Sequence, residues 1–157
     1  MVLEIEPIGI VVGGREEVAD DHWGGVESVI RLDQRFPLDV VKGLADFSHL
    51  VVTWHFSRAT PADVALHARS PRNDPRWKPS GTFAHRNHRR PNQLATSFPR
   101  LLEVDGLDLH VTDLDAVDGT PVYDLAPYFA EMGPRGEIRE PEWPGEMLKE
   151  YWAEKKG

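Results

Sequence analysis

Two stretches of this 157-residue chain concentrate side chains that can bind or move charge. Residues 81–97 (GTFAHRNHRRPNQLATS) carry three arginines, two histidines and two asparagines in one short run. The planar fork of an arginine matches carboxylates and phosphates, and Pro91-Asn92 is a turn-forming pair with a free amide side chain. Residues 114–128 (LDAVDGTPVYDLAPY) carry carboxylates at Asp115, Asp118 and Asp124. Asp118-Gly119 is a turn signal, and Pro121 holds Thr120 in extended geometry. Taken separately, the two are a basic turn and an acidic turn, able to hold an anion and to accept a proton.

Other chemistries lack their residues. The chain has no cysteine, so disulfides, thiolate metal sites and a cysteine nucleophile are excluded. His85, His88 and His110 could suggest a metal, because a spacing of three can bring two imidazoles together. Arg86, Arg89 and Arg90 stand among them and would repel a cation, so no metal is expected. No G-x-S-x-G elbow is present for a serine nucleophile. Gly9, Gly13 and Gly14 have neither the G-x-G-x-x-G spacing nor the Gly-Lys-Ser/Thr of a phosphate loop, and they read as a strand running into a turn. A Rossmann-type nucleotide site is therefore not expected.

Charge sharpens the first stretch. The net charge is −8, yet residues 58–100 hold nine Lys and Arg against only Asp63 and Asp74. A basic loop in an acidic protein is a candidate footprint for phosphate or carboxylate. The N-terminus has no basic, apolar signal-peptide pattern, and no apolar run approaches the ~20 residues of a membrane span. A cytoplasmic protein with no membrane partner is expected.

The elements that must position these stretches are mostly short strands. Residues 3–12 and 26–32 read as strands, with an edge or bulge at Pro7. A short helix is expected within 37–46, ending near Gly43. Residues 49–57 (HLVVTWHFS) alternate clearly, with Leu50, Val52, Trp54 and Phe56 on the core face. A long loop follows over 58–80, with a weak helical stretch near 61–68. Further strands are expected at 81–85, 96–104, 107–112 and 120–125, with a hairpin at Asp105-Gly106. After a linker at 133–144, residues 145–156 read as a helix ending in lysines. The pattern predicts a mainly β fold, a small barrel of short antiparallel strands with a few short helices and a C-terminal helix. The expected division is a barrel domain over 1–130 and a linker and helix over 131–157, packed on the barrel or on a dimer partner.

The same two stretches resemble motifs of the TrmO-like (TsaA/YaeB) family of S-adenosylmethionine-dependent methyltransferases. Phe83, Ala84, Arg86, Arg90, Pro91, Asn92 and Ser97 match its F-A-T-R-S-P-H-R-P-N-P-I-G-L-S in register. Leu114, Asp115, Asp118, Gly119, Thr120, Pro121, Val122, Asp124, Pro127 and Tyr128 match its L-D-x-x-D-G-T-P-V-L-D-I-K-P-Y. Pro7-Ile8-Gly9 and residues 43–50 (GLADFSHL) are similar to two upstream motifs, in the same order. Asn87, His88 and Arg89 stand where the family has S-P-H, residues 93–96 replace P-I-G-L, and Ala126 replaces a lysine.

The resemblance implies a compact β-barrel, a homodimer, and S-adenosyl-L-methionine bound without a Rossmann fold. It implies N6-methylation of threonylcarbamoyladenosine at tRNA position 37. The alternatives are methylation of a small-molecule acceptor, or a non-catalytic S-adenosylmethionine-binding module. The implied cofactor residues are Arg86, Arg90, Pro91, Asn92, Ser97, Asp118, Gly119, Thr120 and Pro121. Arg86 or Arg90 would hold the cofactor's carboxylate, and Asn92 would read its adenine edge. Asp115, Asp118 and Asp124 compete for the catalytic role. Arg72, Arg76, Lys78, His88 and Arg89 would face a tRNA backbone.

Overall fold

The computed structural model describes residues 1–155. Seven short strands form one antiparallel sheet: β1 (Gly9–Val12), β2 (Glu27–Leu32), β3 (Leu50–His55), β4 (Leu94–Ser97), β5 (Arg100–Asp105), β6 (Asp108–Thr112) and β7 (Pro121–Pro127). Their spatial order is β4-β3-β7-β1-β2-β6-β5. Alternation sets the core face. Val11 lies opposite Ile30, and Ile30 opposite Leu109. All three are fully buried, together with Leu50, Val52, Val111 and Val122. The alternation read over residues 49–57 holds, with Leu50, Val52 and Trp54 buried and Phe56 half-buried against them.

The fold is mainly β, but the barrel is corrected by the ladder. The sheet is open, with β4 and β5 at its two edges. The cause is the Phe98-Pro99 corner. Pro99 has no N–H for a ladder, so the single strand expected over 96–104 divides. Its first part pairs with β3 and its second with β6. The start of β3 and the edge strand β5 meet at an isolated bridge, His49 to Arg100. Backbone bonds from the Leu50 N–H to the Pro99 carbonyl (3.0 Å) and from the Leu101 N–H to the Ser48 carbonyl (2.8 Å) flank it.

Several other expectations shift. Of residues 3–12, only Gly9–Val12 is strand. The expected strand at 81–85 is instead a 3-10 turn over Thr82–Ala84. The helix expected within 37–46 is two 3-10 turns, Leu38–Val41 and Leu44–Asp46, separated at Gly43, whose φ of 85° a helix does not accept. The weak helix near 61–68 shrinks to Pro61–Asp63, opened by a capping box between Thr60 and Asp63.

The C-terminal helix is also shorter than expected. α1 covers Trp143–Met147, turns follow, and the last residue of the expected 145–156 span lies outside the described residues. The tail is held by the body of the protein instead. The His22 N–H donates to the Glu150 carbonyl (3.0 Å), and the Trp23 N–H to the Tyr151 carbonyl (2.7 Å). These tertiary bonds outweigh helix propensity, which is a weak prior over a few residues. The approach is so close that a Cβ on Gly24 would sit 1.9 Å from the Trp152 carbonyl oxygen. Gly24→Ala must therefore push the tail away. The expected result is a loss of about 1–3 kcal/mol in urea unfolding, the usual cost of overpacking, with faster hydrogen exchange over 148–155. Unchanged stability and exchange would contradict this docking.

Candidate active site

Asp115 lies in the loop from β6 to β7. Its neighbours Leu114, Ala116 and Val117 are buried in the core, so the intervening side chain must turn the other way. It turns toward the end of β4. The Ser97 hydroxyl donates to one oxygen of the Asp115 carboxylate, and the Tyr151 hydroxyl donates to the other. Behind Ser97, the Trp54 indole N–H donates to the Ser97 oxygen at 2.9 Å. The β3–β4 register, Val52 opposite Ser97 and Trp54 opposite Ala95, makes Trp54 the diagonal neighbour that reaches it. The four side chains form a chain of donors ending on one carboxylate. Burial, first, and then the Asp115 charge and hydrogen bond push the Tyr151 phenol far above its ordinary range, so it remains a donor. The charges of Arg86 and Arg72 oppose that shift.

Arg86 is exposed and spends one N–H on the Thr96 carbonyl (2.8 Å), leaving the rest of its fork open. Arg90 is turned inward and donates to the His85 carbonyl at 2.8 Å. Pro91 and Asn92 are exposed at the turn, which closes with the Gln93 N–H on the Arg90 carbonyl (3.1 Å). The basic loop is braced internally. Asn87 Oδ1 accepts from Arg69 (3.0 Å) and from the Arg89 N–H (3.1 Å), and buried Gln93 donates to the carbonyls of Thr60 (2.8 Å) and His88 (3.2 Å).

The three candidate carboxylates separate. Only Asp115 meets the 81–97 segment. Asp118 accepts the Gly13 N–H at 2.8 Å. Gly119 donates to the Val11 carbonyl, and the Thr120 hydroxyl to the Val117 carbonyl (2.7 Å), so residues 118–121 clamp the end of β1 as a structural turn. Asp124 is exposed on β7, opposite Thr53.

The residues expected to face RNA also differ from one another. Arg76 is paired with Asp74 (2.7 Å) and lies over the Trp77 ring, while Arg72 is paired with Asp21 (3.0 Å). Lys78 is exposed. Arg89 is half-buried, with one N–H 3.4 Å from the Asp63 carbonyl. His88 packs against Phe56 (6.0 Å between ring centres), and burial, then the Arg89 charge, lower its pKa, so it is neutral near pH 7.

The sequence assigns no functional role to Tyr151 or Trp54. Trp54 fitted the core face of a strand, and Tyr151 lies beyond every motif, so spacing carried no signal for either. A cleft of about 390 Å³ opens elsewhere, over β1, β2, β5 and β6, between Glu27, Leu102, Glu103 and His110. It contains no residue of 81–97 or 114–128. Among the described residues, no group of three His, Asp or Glu is placed to hold a metal, and no helix is long and apolar enough to cross a membrane.

Residues 21–133 match the tRNA-methyltransferase O N-terminal domain family. A probable S-adenosyl-L-methionine-binding protein of Pyrococcus abyssi is 30% identical over 138 residues, covering 85% of this chain and 72% of that protein. The tRNA (adenine(37)-N6)-methyltransferase of Escherichia coli is 39% identical over 102 residues, covering 61% of this chain and 43% of the enzyme. The crystal structure of TrmO from Pseudomonas aeruginosa shares the fold, with a TM-score of 0.69 at 23% identity over 88% of this chain. The chain spans 62% of that solved chain, under two thirds of its length.

Ser97→Ala removes one donor from Asp115 and leaves the Trp54 N–H without its acceptor. The expected cost is about 1–3 kcal/mol in denaturant unfolding. Arg76→Ala, an exposed pair, should stay within about 0.5 kcal/mol of wild type. Equal effects of the two substitutions would contradict the network.

Proposed function

Because this chain belongs to the tRNA-methyltransferase O N-terminal domain family, we propose that it is an S-adenosylmethionine-dependent methyltransferase acting on N6 of an adenine in tRNA. The acceptor in this reading is threonylcarbamoyladenosine at position 37. The observation that carries it is the meeting of the two motif segments at Ser97 and Asp115, beside Arg86.

The residues suit the cofactor's zwitterionic end. The open fork of Arg86 takes its carboxylate, and the Asp115 carboxylate favours its positive groups. When bound, the cofactor supplies an electrophilic methyl group on a sulfonium. Asp115 accepts the hydrogen bond of the acceptor's N6 and takes the proton that nitrogen sheds. Each carboxylate oxygen already receives one protein donor and keeps a lone pair for this purpose. Arg90 shapes the loop through the His85 carbonyl, and residues 118–121 act by anchoring β1. Exposed Arg58 and Lys78 are cations available to meet phosphates, and a tRNA substrate implies a cytoplasmic location.

A homodimer fits the surface. Phe98 and Phe129 are 50% and 46% exposed. Phe98 packs on Tyr128 and Phe47 on Phe129, each with ring centres 5.7 Å apart, so each exposed phenylalanine belongs to a separate aromatic pair. Exposed apolar patches of this kind mark interfaces. Sedimentation velocity should give a dimer, and Phe98→Asp with Phe129→Asp a monomer. A wild-type monomer at micromolar concentration overturns the dimer.

The activity test is incubation with methyl-labelled cofactor and unmethylated tRNA, followed by nucleoside mass spectrometry. The expected product is the N6-methyl form of threonylcarbamoyladenosine. Arg86→Ala should weaken cofactor binding by about 10–100-fold, the loss of a charge-assisted hydrogen bond. Labelled small molecules with unchanged tRNA would move the acceptor to another class.

A further inference from the structure

The Asp115 carboxylate is held from two directions, and one of them is the C-terminal tail. We propose that Tyr151 is the positioning residue for Asp115, delivered by a strap over residues 143–154 that completes the active site. This rests on the methyltransferase reading for its catalytic consequence, while the contact itself stands on the structure. The strap lies beyond the family-matched residues 21–133.

Several independent contacts dock the strap. The Trp77 indole N–H donates to Glu146 at 2.9 Å, and Trp143 lies 6.0 Å, ring to ring, from buried His85. The Trp23 N–H takes the Tyr151 carbonyl at 2.7 Å, which fixes the backbone of the very residue that reaches Asp115. Gly24 provides the gap in which the Trp152 carbonyl sits. The strap thus grips three parts of the chain: the 13–25 loop, the basic loop at Trp77 and His85, and Asp115. An ionised carboxylate with one hydroxyl donor has a free rotation left, whereas a donor on each oxygen fixes its plane. Removing the Tyr151 donor frees the carboxylate without altering Arg86 or its bond to Thr96.

The test uses the full chain with Tyr151→Phe, which keeps the ring and deletes the hydroxyl. Expected are a melting temperature lowered by only a few degrees and an S-adenosylhomocysteine affinity, by calorimetry, within about twofold of wild type, with single-turnover methyl transfer to tRNA slowed about tenfold or more. 3-Fluorotyrosine at position 151, a stronger donor, should restore the rate. A wild-type rate in Tyr151→Phe overturns the proposal, as does equal loss of rate and cofactor affinity, which would mark a purely structural role. A reading without turnover accompanies it. In Asp115→Asn the negative neighbour is gone, so the Tyr151 phenol should ionise at lower pH in a 295 nm titration. No change in that titration overturns the contact. If wild-type protein binds the cofactor and leaves tRNA unmethylated, the acceptor assignment fails, and the titration still decides whether Tyr151 holds Asp115.

Discussion

Ser97, Tyr151 and, through Ser97, Trp54 all direct hydrogen-bond donors at the Asp115 carboxylate. Every larger feature of the protein serves or depends on that convergence. A partly buried carboxylate is stable only when its lone pairs are satisfied. The three donors come from β3, from the end of β4, and from a tail more than thirty residues further along the chain. The sheet must therefore hold β3 beside β4 in one register, and the tail must dock.

The sheet meets the first condition through its alternating core face. Leu50, Val52 and Trp54 share the buried side of β3, and a slip of one residue would turn Trp54 away from Ser97. The loop meets the same condition from the other side, because Leu114, Ala116 and Val117 fill the core and leave Asp115 to face the β4 end. The basic segment is held just as firmly. Asn87 and Gln93, both at positions that depart from the family motif, use their amides to bind the loop to itself. Their replacement of the family's residues is thus a change of loop scaffolding, and it leaves Arg86 open.

Local signals were legible in the sequence where one residue type decides the outcome. The alternation of 49–57, the Asp105-Gly106 hairpin and the strand that ends in a turn at Gly13-Gly14 all have local causes, and the structure agrees with them. The motif resemblance pointed to the family, and the family match over residues 21–133 agrees with it. What spacing could not reveal depends on contacts between distant residues. Pro99 divides a run that alternates well enough to pass for one strand, and the result is an open sheet instead of a barrel. Residues 148–152 have good helix formers, yet their carbonyls go to His22 and Trp23. The three aspartates of 114–128 are equivalent as sequence, and only the fold distinguishes Asp115, which meets Ser97, from Asp118, which fastens Gly13.

The cofactor is proposed to sit where Arg86, Ser97 and Asp115 converge. Amide chemical-shift mapping with S-adenosylmethionine tests this most directly. The largest shifts are expected on residues 86, 96, 97, 115 and 151, with little change around Glu27, Glu103 and His110. Shifts centred on the cleft at Glu27, Glu103 and His110, or no shifts at millimolar cofactor, would contradict this placement.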